Sequence, residues 1–387
     1  MSYSMAATHS RGKFATDKIF GAASAANAAK AKLGKENVVD ATIGVLLDEN
    51  EALVCLSTVE KAFRALPMTE VCAYAPIEGL PDYLEAVVEE AFADNKPNAY
   101  IKAVATSGGS GAIHHTIYNY SEFGDTVLTS DWFWGPYRVL SEALLRKLET
   151  YTYFDEANKF NVKSFEAKVN ELLAKQSSLV ILLNTPAHNP TGYSLSGDEW
   201  DQVLTVLKAS AKNPDKKITL FVDIAYIDYA GEKNASRAFL GKFGGLPENL
   251  LVVVGYSMSK AYTVYGQRTG AMIGVSSNKD VITEFVDINQ YLNRATWSNI
   301  NRGAQRLLAN MAKDKNLYAE LLQERDKYYK LIQQRAAAFT AEDRAVNLKM
   351  LPFIAGFFLS VPAKNTDAVC DLLHKDNIFA VPLAKGV

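Results

Sequence analysis

The chain has 387 residues, of which 48% are hydrophobic and 22% are charged, an ordinary balance for a globular protein large enough for two domains. Its formal net charge of -2 gives no reason to expect nucleic acid or an anionic membrane surface as a partner. Three cysteines at no metal-ligand spacing, no secretory signal and no apolar run long enough to span a membrane predict a cytoplasmic protein without a metal site.

The middle of the chain alternates short β-branched runs with amphipathic helical patterns. Seven runs are predicted strands: IKAVATS (101–107), DTVLTS (125–130), LETYTYF (148–154), LVILLNT (179–185), ITLFVDI (218–224), LLVVVGY (250–256) and GAMIGVS (270–276). Helical patterns such as FEAKVNELLAK (165–175) and GDEWDQVLTVLKASAK (197–212) separate most of them. This alternation predicts a mostly parallel sheet covered by helices on both faces. The last connection is too short for a helical crossover, so we expect the strand at 270–276 to be antiparallel to its neighbour.

The two ends of the chain differ in character from the middle. From about residue 280 the pattern is helical and charged, and a shorter αβ segment follows that contains FIAGFFLSV (353–361) and IFAVPLAKGV (378–387). We therefore expect an α/β fold with a large domain, residues 51–310, that contains a mostly parallel seven-stranded sheet flanked by helices. A smaller αβ domain is expected to assemble from both chain ends, residues 1–50 and 311–387. Clefts between domains and the carboxyl ends of parallel strands are common ligand sites.

Four unusual segments follow the ends of predicted strands: TSGGSGA (106–112), NTPAHNPTGYSLS (184–196), FVDIAYIDYA (221–230) and SMSKAYTVYGQR (257–268). The glycines of the first let the backbone approach a ligand, and the helix that follows offers N–H groups to an anion, although such turns also occur without a ligand. The prolines and glycine of the second demand a rigid loop, in which Asn184 and Asn189 either cap a turn or contact a ligand.

The third and fourth segments carry an acid and an amine. Asp223 ends a strongly apolar run, where a buried carboxylate needs a cationic partner such as a protonated heterocycle nitrogen, unless it is an N-cap or surface acid. Tyr226 is close enough in sequence to reach the same ligand. The amine of Lys260 is a nucleophile only if burial or nearby positive charge lowers its pKa. Arg268 would supply such charge while binding a phosphate; the alternative is a solvated loop with ordinary charges.

Together, NTPAHNPTG, DIAYIDYA and SMSKAYTVYGQR, in this order, resemble the motifs of the class I pyridoxal-phosphate aminotransferases of fold type I, in the aspartate and aromatic aminotransferase branch. The resemblance covers nearly the whole chain. It implies transamination between aspartate or an aromatic amino acid and a 2-oxo acid such as 2-oxoglutarate, by a ping-pong mechanism with aldimine and quinonoid intermediates. β-Elimination or decarboxylation with the same cofactor, and a non-catalytic regulator that binds pyridoxal phosphate, are the alternatives.

The resemblance also implies the role of each cofactor residue. Lys260 matches the lysine that forms the Schiff base, and Asp223 matches the acid that keeps the pyridine nitrogen protonated. Asn189 and Tyr226 match the pair that hydrogen-bonds the phenolic oxygen of the cofactor. The remaining matches are Gly109, Ser110, Ser257 and Arg268 for the phosphate, and Trp132, with Trp134 as its competitor, for the aromatic ring stacked on the pyridine.

Further matches imply a homodimer and a substrate site. Tyr74 resembles the tyrosine that reaches the cofactor phosphate of the neighbouring subunit. Arg294 resembles the arginine that crosses the interface to bind a substrate's distal carboxylate, and the alternative for it is a solvent-facing helix charge. Gly44 matches a glycine whose backbone lies over the substrate. The resemblance implies that Trp132 and Asn189 also contact the substrate. The family's arginine for the substrate α-carboxylate is not found before Val387, and we therefore expect the natural chain to continue.

Overall fold

The computed structural model describes residues 4–13, 18–42 and 44–387. Its strands are β1 (Val39–Ala41), β2 (Tyr100–Thr106), β3 (Thr126–Ser130), β4 (Lys147–Tyr151), β5 (Ser178–Asn184), β6 (Lys217–Asp223), β7 (Leu250–Ser257), β8 (Gly270–Ser276) and β9 (Ile378–Ala380). Its α-helices are α1 (Lys18–Leu33), α2 (Ser57–Arg64), α3 (Met68–Cys72), α4 (Pro81–Phe92), α5 (Gly108–Tyr120), α6 (Pro136–Ala143), α7 (Val162–Lys175), α8 (Gly197–Ser210), α9 (Met258–Ala261), α10 (Lys279–Thr296), α11 (Arg302–Lys313), α12 (Lys315–Val346) and α13 (Thr366–Lys375).

Strands β2 to β8 form one sheet in the order β2-β8-β7-β6-β5-β3-β4. Neighbouring strands are parallel except at β8, which is antiparallel to both β2 and β7. The predicted α/β fold with a mostly parallel seven-stranded sheet is therefore confirmed, and so is the reversed direction of β8. The connection from β7 to β8, residues 258–269, is long enough for a loop but not for a helical crossover.

The register of the central strands brings their polar ends to one edge of the sheet. Every residue of β7 and β8 is buried, as expected of strands covered on both faces. Asn184 at the end of β5 lies opposite Asp223 at the end of β6, and Asp223 lies opposite Gly255 of β7. Because β7 continues to Ser257, side chains from three neighbouring strands meet at the carboxyl edge of the sheet.

A glycine in β7 makes room for the core beneath this edge. A Cβ at Gly255 would overlap the ring of Phe221, which is fully buried in β6. We expect Gly255→Ala to lower the free energy of unfolding by about 1–3 kcal/mol, because the ring can move only at the expense of its own packing. Urea unfolding would measure the loss, with Gly197→Ala as control because a Cβ at Gly197 meets no heavy atom within 4 Å. Equal midpoints for the two variants would contradict this prediction.

The described residues divide into two compact units, one from residues 1–44 and 360–387 and one from residues 45–359. These bounds differ from the predicted divisions at 50 and 310. The long helix α12 belongs to the larger unit because it packs on α2 and α11, contacts that helical periodicity alone does not reveal.

The segment 353–361 forms no strand. Instead, the backbone N–H groups of Ile354 and Ala355 donate to the carbonyl oxygen of Gly192, so the segment runs along the loop that follows β5. In the smaller unit, β1 and β9 form a two-stranded parallel sheet that joins the two ends of the chain. Among the described residues, no helix is both long and apolar enough to cross a membrane.

Candidate functional site

A cavity of about 170 Å³ lies at the carboxyl edge of the parallel strands in the larger unit. All four segments that the sequence singled out contribute to its lining: Gly109, Ser110, Ile113, Trp134, Asn184, Asn189, Asp223, Ala225, Tyr226, Ser257, Ser259, Lys260 and Arg268. A larger cavity of about 440 Å³ beside α2 has neither a buried amine nor a buried acid among its lining residues. The smaller cavity is therefore the candidate site.

Lys260 supplies the amine of this cavity. It lies in α9, the short helix that directly follows β7, and Ser257 begins that helix by accepting a hydrogen bond from the backbone N–H of Ser259 (3.3 Å). The Lys260 Nζ atom is 5.5 Å from the ring centroid of Tyr226 and 5.0 Å from that of Tyr265. Burial lowers the pKa of Lys260 to about 8; the charge of Asp223 raises it, and that of Arg268 lowers it further. A large share of the amine is therefore neutral, and nucleophilic, in mildly alkaline solution.

Asp223 supplies a buried acid at the end of β6. The Tyr137 hydroxyl donates to its Oδ2 (2.7 Å), and the Ala225 N–H donates to its Oδ1 (3.1 Å). Burial raises the pKa of Asp223, while these two hydrogen bonds and the charge of Lys260 lower it in part. A cationic group placed against the free side of this carboxyl would hold it in its charged form.

The loop after β5 places an amide beside a phenol. The Asn184 side chain donates to the carbonyl oxygen of Asp223 (2.9 Å) and accepts from the backbone N–H of Asn189 (2.6 Å). The Asn189 amide in turn donates to the Tyr226 hydroxyl (3.3 Å). Asn184 thus ties the loop to the neighbouring strand, which holds Asn189 and Tyr226 as a pair on the wall of the cavity.

Arg268 and the start of α5 form an anion cup in the lining of the cavity. The Arg268 Nη1 atom donates to the Ser259 hydroxyl (3.2 Å) and to the carbonyl oxygen of Tyr265 (3.0 Å). Gly108 has a φ of 65°, and a Cβ there would lie 2.8 Å from the Arg268 Nη2 atom, so glycine allows the guanidinium to approach the helix. The N–H groups of the first turn of α5, three serine hydroxyls and a guanidinium together suit a phosphate.

Two tryptophans compete for the predicted role of the stacking aromatic. Trp134 lines the cavity, whereas Trp132 does not and is buried with 7% of its surface exposed. The Trp134 ring makes an edge contact with Tyr137 (5.6 Å between centroids), and Tyr137 is the residue bonded to Asp223. The cavity lining therefore favours Trp134 over Trp132, and the stacking role itself stays a prediction.

Besides Trp132, three predicted residues do not line the cavity. The Tyr74 side chain is 86% exposed, and Arg294 is exposed near the end of α10. Gly44 belongs to the unit formed by residues 1–44 and 360–387. Their predicted roles stay predictions. The structure also adds two residues to the site, Tyr137 and Ser259, that the sequence analysis did not name. Tyr137 lies on α6 and not at the end of a strand. Ser259 lies next to Lys260, which drew attention away from it.

The residues that line the cavity fit pyridoxal phosphate. They include an anion cup suited to a phosphate, a buried acid on β6 suited to a pyridinium nitrogen, and an amine of lowered pKa. The Asn189–Tyr226 pair presents an N–H and a hydroxyl on the wall, where a phenolate oxygen would accept hydrogen bonds. Each of these groups belongs to a segment that adjoins a strand of the sheet, so the fold of the chain brings the cofactor-binding groups together.

Comparison with known proteins agrees with this reading of the cavity. The model of the family "Aminotransferase class I and II" matches residues 36–384. The aspartate aminotransferase of Pseudomonas aeruginosa is 30% identical over 291 residues, which cover 73% of this chain and 69% of that protein. A crystal structure of an aminotransferase from Anaerococcus prevotii is 37% identical with a TM-score of 0.97, covering 99% of this chain and 94% of that one.

A second structure, the aromatic-amino-acid aminotransferase of Burkholderia pseudomallei covalently bound to pyridoxal phosphate, shares the fold with a TM-score of 0.78 and 24% identity. It covers 97% of this chain and 94% of that one. The family match spans both ends of the large sheet and every segment that lines the cavity. The chain therefore belongs to the class I and II aminotransferase family.

Proposed function

We propose that this protein transfers the amino group of aspartate or an aromatic amino acid to a 2-oxo acid such as 2-oxoglutarate, with pyridoxal phosphate as cofactor. The observation that carries the proposal is the buried Lys260, with its pKa lowered to about 8, in one cavity with the buried acid Asp223 and an anion cup. The choice of substrates is supported by the names of the aspartate and aromatic-amino-acid aminotransferases that the chain resembles.

Different residues of the cavity would bind different parts of the cofactor. Asp223 would pair with the ring nitrogen, and Asn189 and Tyr226 would donate to the phenolic oxygen. Trp134 would cover the ring. The phosphate would lie against the following groups: the start of α5 at Gly109 and Ser110, the hydroxyls of Ser257 and Ser259, and the Arg268 guanidinium.

When bound, pyridoxal phosphate supplies an aldehyde carbon that condenses with amines and a protonated ring that accepts an electron pair from the substrate Cα. Lys260 would hold the cofactor at its aldehyde carbon, and its amine, when free and neutral, would move the proton that leaves the substrate Cα. Asp223 would place a negative charge beside the ring nitrogen, which would favour the protonated ring. Trp134 and Ile113, which line the cavity, would limit the access of water to this transfer.

We also propose that the active form is a homodimer to which each copy contributes Tyr74 and Arg294. Both side chains are exposed in the single chain, as suits residues that a second copy covers. The Arg302 Nη1 atom donates to the carbonyl oxygen of Tyr74 (3.2 Å) and its other nitrogens bind Glu70, so the segment that carries Tyr74 is held in place. Arg294 would bind the distal carboxylate of aspartate, and Gly44 would lie over the substrate. The cytoplasmic location stays a prediction.

The test is to mix the purified chain and pyridoxal phosphate with 2-oxoglutarate and, in turn, aspartate, phenylalanine and tyrosine, and to identify the products by mass spectrometry. We expect glutamate and the matching 2-oxo acid in equal amounts. Ammonia in place of glutamate would indicate elimination, and carbon dioxide with an amine would indicate decarboxylation. Cofactor binding without turnover of any amino acid would indicate a regulator, and each of these three results would overturn the proposal.

A further inference from the structure

A buried arginine interrupts the apolar stripe of the long helix α12. The buried residues of this helix are Leu321, Arg325, Ile332 and Ala336, spaced as one helical face. Arg325 is only 3% exposed. A guanidinium at such a position is costly to bury unless charged and hydrogen-bonding partners surround it, and its partners therefore indicate what it is for.

Two partners of Arg325 belong to the segments that carry the amine and the phenol of the cofactor site. Its Nε atom donates to the carbonyl oxygen of Ala261 (2.7 Å), the residue that directly follows Lys260. Its Nη1 atom lies 3.4 Å from Asp228 Oδ1, two residues beyond Tyr226. Arg325 thus joins the segment after β6 to the segment after β7.

Further contacts keep the guanidinium in this position. It lies 4.8 Å from the ring centroid of Tyr262, and its Nη1 atom is 3.5 Å from Glu90 Oε2. Burial would raise the pKa of Asp228, but the charges of Arg325 and Arg237 outweigh burial and lower it, so Asp228 is a charged anchor for Arg325. Two carboxylates, a carbonyl and an aromatic face fix the orientation of one side chain.

The segment after Lys260 needs such support. Helix α9 has only the four residues Met258–Ala261, and Thr263 follows with a φ of 51°, which is costly for a β-branched residue. A helix this short leaves most of its carbonyl groups without partners inside the helix. The carbonyl of Ala261 receives its hydrogen bond from Arg325, a residue on a different helix.

We propose that Arg325 is a positioning residue that holds Lys260 in its buried place through the Ala261 carbonyl and Asp228. The proposal rests on the proposed function, in which Lys260 is the reactive amine. Arg325 lines no part of the cavity and acts through the backbone of α9.

The surroundings of Lys260 predict the direction of the effect. The charged and titratable groups around its amine are Asp223, Arg268, Tyr226 and Tyr265, and burial is the main reason why its pKa is low. If α9 loosens, water reaches the amine and the pKa of Lys260 rises toward its usual value of 10.5.

The chain offers a matched control in Arg237, a second buried arginine of the same network. Its Nη2 atom binds Asp228 (2.7 Å) and its other nitrogens bind backbone carbonyls of Glu90 and Lys233, but it makes no hydrogen bond to the segment after Lys260. Arg325→Lys and Arg237→Lys both keep the charge, and in both the single amine cannot satisfy all the acceptors of the guanidinium. Only Arg325→Lys breaks the link to Ala261.

The experiment measures the pKa of Lys260 in the full chain without added cofactor, by labelling its amine at different pH values and quantifying the Lys260 peptide by mass spectrometry. We expect about 8 for the unchanged chain and for Arg237→Lys, and a rise of about one unit for Arg325→Lys. Hydrogen exchange at residues 258–263 should quicken in Arg325→Lys and not in Arg237→Lys, which separates a local effect from a general loss of stability.

A second measurement is the affinity for pyridoxal phosphate, which we expect to fall about three- to tenfold in Arg325→Lys, the ratio expected for one lost hydrogen bond. An unchanged Lys260 pKa in Arg325→Lys, or an equal rise in Arg237→Lys, would overturn the proposal. Labelling needs no cofactor. A chain that fails to bind pyridoxal phosphate would therefore refute the proposed function while the labelling still decides the role of Arg325.

Discussion

Lys260→Ala is expected to lower the kcat of transamination by about 10⁴-fold or more. The amine is the group that both holds the cofactor covalently and moves the proton between the two carbons, and among the residues that line the cavity there is no second amine to replace it. The variant should still bind pyridoxal phosphate through Asp223 and the anion cup. Steady-state kinetics and the absorbance of the Lys260-bound cofactor would measure the two effects separately.

The control for this variant is Lys242→Ala, which removes a lysine that pairs with Asp201 outside the cavity. Its kcat and its cofactor absorbance should match those of the unchanged chain. Transamination by Lys260→Ala within tenfold of the unchanged chain would show that another group moves the proton.

Asp223→Asn is expected to lower kcat by about 10²–10³-fold, the loss typical of removing one preorganised electrostatic contact from an active site. The amide has nearly the shape of the carboxyl and its oxygen still accepts the hydrogen bond from Tyr137, but its NH2 group cannot accept the one from the Ala225 N–H. The variant therefore loses the negative charge beside the ring nitrogen together with one backbone hydrogen bond. The ring then loses its proton more readily and accepts the electron pair from Cα less well.

Single-turnover kinetics with aspartate would measure this effect, since proton removal from Cα is the step that depends on the ring. Asp215→Asn, at an exposed turn before β6, is the control and should keep the rate of the unchanged chain. A rate for Asp223→Asn close to that of Asp215→Asn would mean that the ring does not depend on a charged partner at this position.

Most of the polar residues that line the cavity can be predicted from the sequence, for a physical reason. Lys260, Asp223 and Asn189 follow strongly apolar strands, and polar groups at such places either contact a ligand or leave costly unpaired atoms in the core. Parallel strands bring their carboxyl ends to one edge, so residues far apart in the chain meet there. The alternation of β-branched runs with helical patterns predicts the seven strands, and the short connection after β7 predicts the reversal of β8.

The choice between Trp132 and Trp134 could not be predicted in this way. Both belong to the turn between β3 and α6, where no periodicity indicates which side chain points toward the sheet edge. Tyr137 was missed for a related reason, because a tyrosine near the start of a helix is an ordinary core residue by pattern. Its contact with Asp223 depends on tertiary packing of α6 against the end of β6.

The bounds of the larger unit also could not be predicted from the sequence pattern. Helix α12 reads as a charged, mostly exposed helix, and its assignment depends on a few buried positions that contact distant parts of the chain. Arg325 is the residue in the sequence that indicates such contacts. It lies on the same helical face as Leu321 and Ile332, and a charged residue on a buried face needs a buried partner.

The reversal of β8 also constrains how the loop between β7 and β8 can vary. Ser257 pairs with Gly270, and Gly270 also pairs with Thr106, so strand pairing holds both ends of the loop beside the turn that begins α5. Lys260 and Arg268 lie between these two ends. The number of residues between Lys260 and Arg268 therefore limits the distance between the amine and the guanidinium. A substitution within residues 261–267 changes one side chain and leaves the length of the loop unchanged. A single inserted or deleted residue there would shift Arg268 relative to Lys260, so the site tolerates a substitution in this loop better than a change of its length.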